Sequence, residues 1–385
     1  MPVEGRRRPA WAEVDLAALA HNTGVLASLV TPARVCAVVK ADGYGHGART
    51  VAPTLLAAGA SVLGVALVDE GIELRESGID APILLLAESP ATALDDALAA
   101  DLTLTVASHR GAREVVASAS RVRPGRTSVH VKLDTGMHRM GVTPGELGGV
   151  LDVLADGDVS VTGIWTHFPV ADGDDEESRR FTRAQLEAYT AAVDEVRPRL
   201  DAGVVRHAAN TAGALWSPDA RLDLVRLGLG LYGYLPHPSM AGVLDDAGLS
   251  ALRPVLSVKA RVSAIRDLAA GARPSYGRRR ELGHDARVAT VPVGYADGYP
   301  RAMLDGDAHV LIRGIRRPLA GVVTMDQLLV DCADDHDVDV GDEVVLLGRQ
   351  GDEEITAAAW ARAIGTVAYT IVCGIGPRVP RVYLP

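Results

Sequence analysis

Between Arg34 and Val225 short apolar runs alternate with longer amphipathic ones, and this rhythm constrains the fold more than any other feature. The apolar runs are Val35–Val39, Val62–Ala66, Ile83–Leu86, Leu102–Val106, Ser128–Leu133, Val159–Trp165, Val204–Arg206 and Leu222–Val225. Each has the length of a buried strand, and helical patterns lie between most of them. In Ser178–Val196, for example, Phe181, Ala184, Ala188, Ala192, Val193 and Val196 recur at helical spacing and predict a buried face. Strand and helix repeated eight times predict an α/β fold of the (β/α)8 barrel type. An open doubly wound sheet is the alternative, but no dinucleotide-type glycine fingerprint opens the series.

Beyond Tyr234 the texture changes. Pro236, Pro238 and Pro254 punctuate a linker region. Short β-type runs follow at Val255–Val262, Val288–Val293, Ala308–Ile312, Leu319–Val323, Leu328–Cys332 and Glu343–Leu347, separated by Gly and Asp turns. A chain of 385 residues is long enough for two domains. We therefore expect a barrel over residues 12–240 and a C-terminal all-β domain formed by 241–385 together with 1–11. The acidic run Asp172–Glu177 lacks the alternating ligands of a calcium loop and reads as a solvated loop.

Composition excludes several function classes. Asp plus Glu outnumber Lys plus Arg by 49 to 39, a net charge of −10, which argues against a nucleic-acid partner. Cys36, Cys332 and Cys373 are far apart and odd in number, so neither a metal site nor a disulfide framework is expected; reduced thiols point to the cytoplasm. The basic stretch Met1–Pro9 is followed by Trp11, Glu13 and Asp15 instead of an apolar segment, so no signal peptide is expected. No apolar run has the length of a membrane span.

The chemistry concentrates at predicted strand ends, where barrel enzymes build their sites. Ala37-Val38-Val39 leads into Lys40 and then a glycine-rich turn containing Tyr44. An amine held where a strand leaves the core loses hydration, and its pKa falls toward that of a useful nucleophile. Other strand ends carry Asp134 and Arg139, His167, His207 with Asn210 and Thr211, and Arg226. Glycine-containing turns follow the last two strands, where barrels commonly hold a phosphate, which predicts Thr211, Gly228 and Leu229 as a phosphate cradle.

The segment VVKADGYGHG closely resembles the cofactor-lysine segment of alanine racemases, which bind pyridoxal phosphate (PLP). LDTGMHRMG, WTHF, HAANTAG, VRLGLGLYG, SYG, GYADGY and TMDQ continue that resemblance in order, over roughly residues 10 to 385. It implies that Lys40 bonds the cofactor. It implies further that Tyr44, Asn210, Thr211, Gly228, Leu229 and Tyr369 contact it, that Arg139 approaches its phenolic oxygen, and that Arg226 faces its pyridine nitrogen. His167 is expected between Arg226 and a catalytic tyrosine matching Tyr276. Lys40 and Tyr276 would then be the two bases, one on each face of the α-carbon. Arg139, Tyr276, Tyr295, Met325 and Asp326 are implied in substrate binding, the last four contributed by the β-domain of the other subunit of a homodimer. Lys132 matches a lysine that is carbamylated in many members. The implied activity is interconversion of L- and D-alanine, supplying D-alanine for peptidoglycan.

The chain departs from the family pattern at His138, where many relatives have glycine, and at Thr370, where an acidic residue often follows the tyrosine. Three rival readings exist. A barrel-type PLP decarboxylase would place a glutamate near the ring nitrogen and a cysteine in the partner's contribution, against Arg226 and Tyr276. A racemase preferring serine differs only in its pocket. A PLP-carrier protein would be a single barrel without the β-domain.

Overall fold

A computed structural model describes residues 8–125, 127–306 and 308–385. The first seven residues, which the sequence reading assigned to the β-domain, lie outside the described residues. The chain divides into two compact units. One comprises Ala18–Gly43 and Ala48–Arg253; the other comprises the chain up to Ala17, Tyr44–Gly47 and Pro254–Pro385.

The first unit is a (β/α)8 barrel. Its strands are Arg34–Val38, Ala60–Val65, Ile83–Leu85, Leu104–Val106, Ser128–Lys132, Ser160–Trp165, Val205–His207 and Leu224–Leu227. Each coincides with one of the eight apolar runs, shifted by a residue or two at the ends. All adjacent pairs within two four-stranded sheets are parallel. Backbone hydrogen bonds join the sheets at both seams. Leu85 N donates to Thr103 O at 2.9 Å and Thr103 N to Ile83 O at 2.8 Å; Asp223 N donates to Arg206 O at 3.1 Å and Arg226 N to Ala209 O at 3.0 Å. The barrel is thereby closed and has no exposed edge.

Helix Glu176–Val196 forms where predicted, and Ala192, Val193 and Val196 of its expected face are buried, but its N-terminal half turns a different set inward. Thr182, Gln185, Tyr189, Ala192, Val193 and Val196 face inward, whereas Phe181 is exposed, as are Ala184 and Ala188. Polar residues displace small apolar ones because they find partners: Tyr189 Oη donates to Ile164 O at 2.7 Å. Asp175 of the acidic run caps this helix by accepting from Ser178 N at 2.8 Å. The expected linker is not wholly irregular, since it holds the short helix Ala241–Asp246.

The second unit is built on two β-sheets. One runs in the order Ile315–Pro318, His309–Ile312, Glu343–Gln350, Leu256–Arg261, Ala10–Asp15, Arg381–Leu384, with Glu353–Ile355 attached to Glu343–Gln350. The other contains Ala264–Leu268, Ala286–Val291 and Leu328–Asp331. The expected strand Leu319–Val323 does not form. Pairing ends at Pro318, and only Leu319 makes an isolated bridge, to Val330. Gly321 accounts for part of this, because a Cβ there would lie 2.5 Å from Pro274 O, so the backbone is packed against another segment instead of a strand.

Candidate active site

The strand Arg34–Val38 is followed by a left-handed turn. Gly43 N donates to Val39 O at 2.7 Å, and Ala41 (φ 52°, ψ 50°), Asp42 (φ 53°, ψ 49°) and Gly43 (φ 63°, ψ 43°) are all left-handed. Only the last is glycine. Lys40 opens this turn at the carboxyl end of its strand. Arg226 lies on the neighbouring strand Leu224–Leu227, the strands Ser128–Lys132 and Ser160–Trp165 end at Lys132 and just before His167, and the loop after Lys132 contributes Arg139.

Arg226 is buried and organises the centre. Its Nη2 donates to the carbonyls of Thr166 (2.7 Å) and Ala208 (2.8 Å) and lies 3.2 Å from His167 Nδ1; its Nη1 lies 3.0 Å from His207 Nδ1. Its charge sits 4.6 Å above the Trp165 ring, as does that of Lys132. Burial lowers the Arg226 pKa to about 10, which leaves it charged at neutral pH. His207 stacks on Trp165 and reaches His130, whose Nδ1 is 2.9 Å from His207 Nε2. Burial, then the Arg226 charge, pushes the His130 pKa down to about 4. Gly163, beside His130 in the neighbouring strand, makes room for the imidazole: a Cβ there would lie 2.5 Å from His130 Nδ1.

Positive charge gathers around His167. Burial lowers its pKa well below the ordinary value, followed by the fields of Arg226, Lys132, Arg139 and Lys40. Burial, then Arg139 and Arg226, likewise lowers Lys132 to about 8, against the raising effect of Asp134. Lys40, Lys132, Arg139, His167 and Arg226 are thus within one another's electrostatic reach.

A second group of predicted residues adjoins the last two strands. Asn210 caps helix Thr211–Trp216 by accepting from Gly213 N at 2.9 Å, and its amide nitrogen donates to Phe168 O at 3.3 Å. Thr211 Oγ1 accepts from Gly228 N at 3.1 Å. With one lone pair so engaged, its hydroxyl proton remains to donate elsewhere, as a phosphate site requires. Leu229 begins the short turn Leu229–Tyr232, and Tyr232 Oη donates to Val38 O at 3.1 Å, beside the exit to Lys40. Hydroxyl and cationic donors of this kind fit a phosphorylated aldehyde cofactor.

The second unit carries the remaining predicted residues. Tyr44 is buried with its ring 6.0 Å from that of Tyr369, and burial raises its pKa above the usual phenol range. Tyr276, Tyr295, Met325 and Asp326 line an open cleft of about 770 Å³. Tyr276 is 71% exposed. Arg378 Nη2 donates to Asp326 Oδ1 at 2.6 Å, and its Nε lies 3.4 Å from the buried Asp297 carboxylate that Arg8 grips with two nitrogens.

The sequence reading missed His130 and left His207 without a role. His130 has a signal in retrospect: it and Lys132 are two apart on one strand and so share a face of it.

Fold and site together define a (β/α)8-barrel enzyme with a cationic centre at the strand ends, joined to a β-domain. Residues 14–236 match the family model for the alanine racemase N-terminal domain, and residues 255–383 match that for the alanine racemase C-terminal domain. The chain is 47% identical to an alanine racemase of Symbiobacterium thermophilum, covering 100% of this chain and 99% of that one. It is 41% identical to an alanine racemase of Nostoc sp., covering 97% and 95%. The alanine racemase structure from Streptomyces lavendulae superposes with a TM-score of 0.90 at 36% identity, covering 99% and 98%, and that from Streptomyces coelicolor with 0.89 at 38%, covering 98% of each. The chain belongs to the alanine racemase family, whose members depend on PLP.

Proposed function

We propose that this enzyme interconverts L- and D-alanine with two bases, Lys40 on one face of the α-carbon and Tyr276 on the other. Bound PLP supplies the electron withdrawal that acidifies the α-hydrogen. Lys40 would hold the cofactor, and its amine would take or return the proton on its face. Tyr276 Oη takes or returns it on the other face, with the His167–Arg226 pair stabilising the phenolate. Tyr44, Asn210, Thr211, Gly228, Leu229 and Tyr369 hold the cofactor. Arg226, which can only donate hydrogen bonds, would disfavour protonation of the cofactor's ring nitrogen and so disfavour side reactions. Arg139, Tyr295, Met325 and Asp326 orient the substrate.

The observation that carries this reading is the buried Arg226 at a barrel strand end, 3.2 Å from His167 Nδ1 and stacked with Lys132 over the Trp165 ring, next to the strand that ends at Lys40. A decarboxylase of the barrel type is not favoured, since the relatives named above are all alanine racemases. An exposed Tyr276, together with Met325 (53% exposed) around an open cleft, supports a homodimer in which a second copy brings these residues to the site. Lys132 is a candidate for carbamylation. An amine at about 8 keeps a neutral fraction able to react with CO2, and the product would set a negative charge among Arg139 and Arg226. The free thiols of Cys36, Cys332 and Cys373 suit a cytoplasmic enzyme supplying D-alanine to peptidoglycan.

The deciding experiment is a panel of small L-amino acids read by chiral chromatography, paired with the absorbance spectrum of Lys40→Ala. Alanine should be the preferred substrate, and the variant should lose the visible cofactor band. A visible band unchanged in Lys40→Ala, or a clear preference for serine, overturns the assignment.

A further inference from the structure

Glu70 lies outside every role assigned above, yet it contacts the turn that opens at Lys40. Two consecutive non-glycine residues, Ala41 and Asp42, are left-handed there. L-residues avoid that conformation because Cβ crowds the following carbonyl, and such strain persists only where the surroundings impose it. Three contacts impose it here. Gly43 N closes the turn onto Val39 O, and Ala48 N donates to Asp42 Oδ1 at 2.7 Å. The third comes from another segment: Ala41 N donates to Glu70 Oε1 at 2.6 Å. Glu70 is itself anchored. Its other oxygen, Oε2, accepts from Ala66 N at 2.8 Å and Leu67 N at 3.1 Å, where the adjacent strand Ala60–Val65 ends. One carboxylate therefore joins the exits of two neighbouring barrel strands and takes up the first amide after Lys40.

We propose that Glu70 is a positioning residue for racemisation: by bridging the Ala41 amide to the end of the next strand, it holds the left-handed turn that presents Lys40. The proposal rests on Lys40 being the cofactor lysine and a base. A carboxylate is needed because both oxygens must accept. Glutamine would set an NH2 group against one of the two amide clusters, N–H facing N–H.

The test compares Glu70→Gln, Ala41→Gly and the double variant as PLP-loaded full-length enzymes, and also follows the return of the visible band when PLP is added to each stripped protein. Glu70→Gln should lower kcat and slow the return of the band by about tenfold each, with KM for alanine within about twofold. Glycine enters the left-handed region without the Cβ penalty, so the double variant should recover most of both losses. Thermal unfolding of each stripped protein shows whether it is folded; a Glu70→Gln that does not fold leaves Glu70→Asp to be read against Ala41→Gly/Glu70→Asp in the same way. Wild-type kcat and band return in Glu70→Gln overturn the proposal. So does a loss that Ala41→Gly fails to relieve, since it would belong to the carboxylate and not to the turn. Failure of the underlying reading is separate: it would show as a visible band retained by Lys40→Ala.

Discussion

Arg226 Nη1 and His207 Nδ1 are 3.0 Å apart, and the direction of that hydrogen bond is forced. A guanidinium only donates, so His207 Nδ1 accepts and its proton resides on Nε2. That proton then faces His130 Nδ1 at 2.9 Å, which places the His130 proton on its own Nε2. By the same argument His167, 3.2 Å from Arg226 through Nδ1, is protonated on Nε2. One buried cation thus sets the tautomers of three imidazoles.

Arg226→Lys should be far from conservative. Arg226 serves two carbonyls and two imidazoles, whereas an ammonium has three donors, so at least one buried acceptor loses its partner. The expected cost is about 1–3 kcal/mol, visible as a lower urea midpoint with an unchanged slope. A wild-type midpoint would show that the network contributes nothing to stability.

Stability should fall as pH drops from the ordinary histidine range toward about 4. His130 is neutral in the folded protein down to that pH, whereas in the unfolded chain it takes up a proton near 6.5. The unfolded state then binds more protons, so stability rises with pH across this window and is flat above it. Removing the imidazole with His130→Gln, whose carbonyl still accepts from His207, should make that part of the profile shallower, the remaining slope coming from His167 and His207, whose pKa values burial also lowers. A parallel pH profile for the variant, read by urea midpoints, contradicts a neutral buried His130.

Gly163→Ala tests the space beside that imidazole. The new methyl would meet the His130 ring at 2.5 Å, inside van der Waals contact. Displacing a buried, hydrogen-bonded ring should cost about 1–3 kcal/mol and lower the melting temperature, with activity reduced through the His207–Arg226 chain. Full stability and activity would mean that the ring moves freely.

Tyr276→Phe removes the phenol proposed for one face. Exchange of the α-proton from L-alanine, followed by deuterium incorporation, should be suppressed more than exchange from D-alanine. Equal suppression of both rules out a base confined to one face.

Much of the barrel was legible because periodicity is local. An apolar run such as Ser128–Leu133 has strand length and composition wherever it stands, and the observed strand Ser128–Lys132 differs by one residue. The strand Ala10–Asp15 was not legible. It exists through pairing with Leu256–Arg261 and Arg381–Leu384, partners hundreds of residues away. The inward face of Glu176–Val196 was legible at Ala192, Val193 and Val196 but not in its first half, because Tyr189 is buried by virtue of the Ile164 carbonyl it meets.

Residue order alone was enough to predict eight strand–helix repeats of the barrel type, a β-domain and a lysine where a strand meets a glycine-rich turn, since hydrophobic spacing and residue chemistry are properties of neighbours in the chain. Packing in three dimensions settled the rest. It assigned Arg226 to the carbonyls of Thr166 and Ala208, paired His207 with His130, and bent Ala41 and Asp42 into a left-handed turn against Glu70. Each of these depends on donors and acceptors from separate segments meeting inside a medium without water, where an unpaired polar group is costly, and no local pattern encodes which segments will meet.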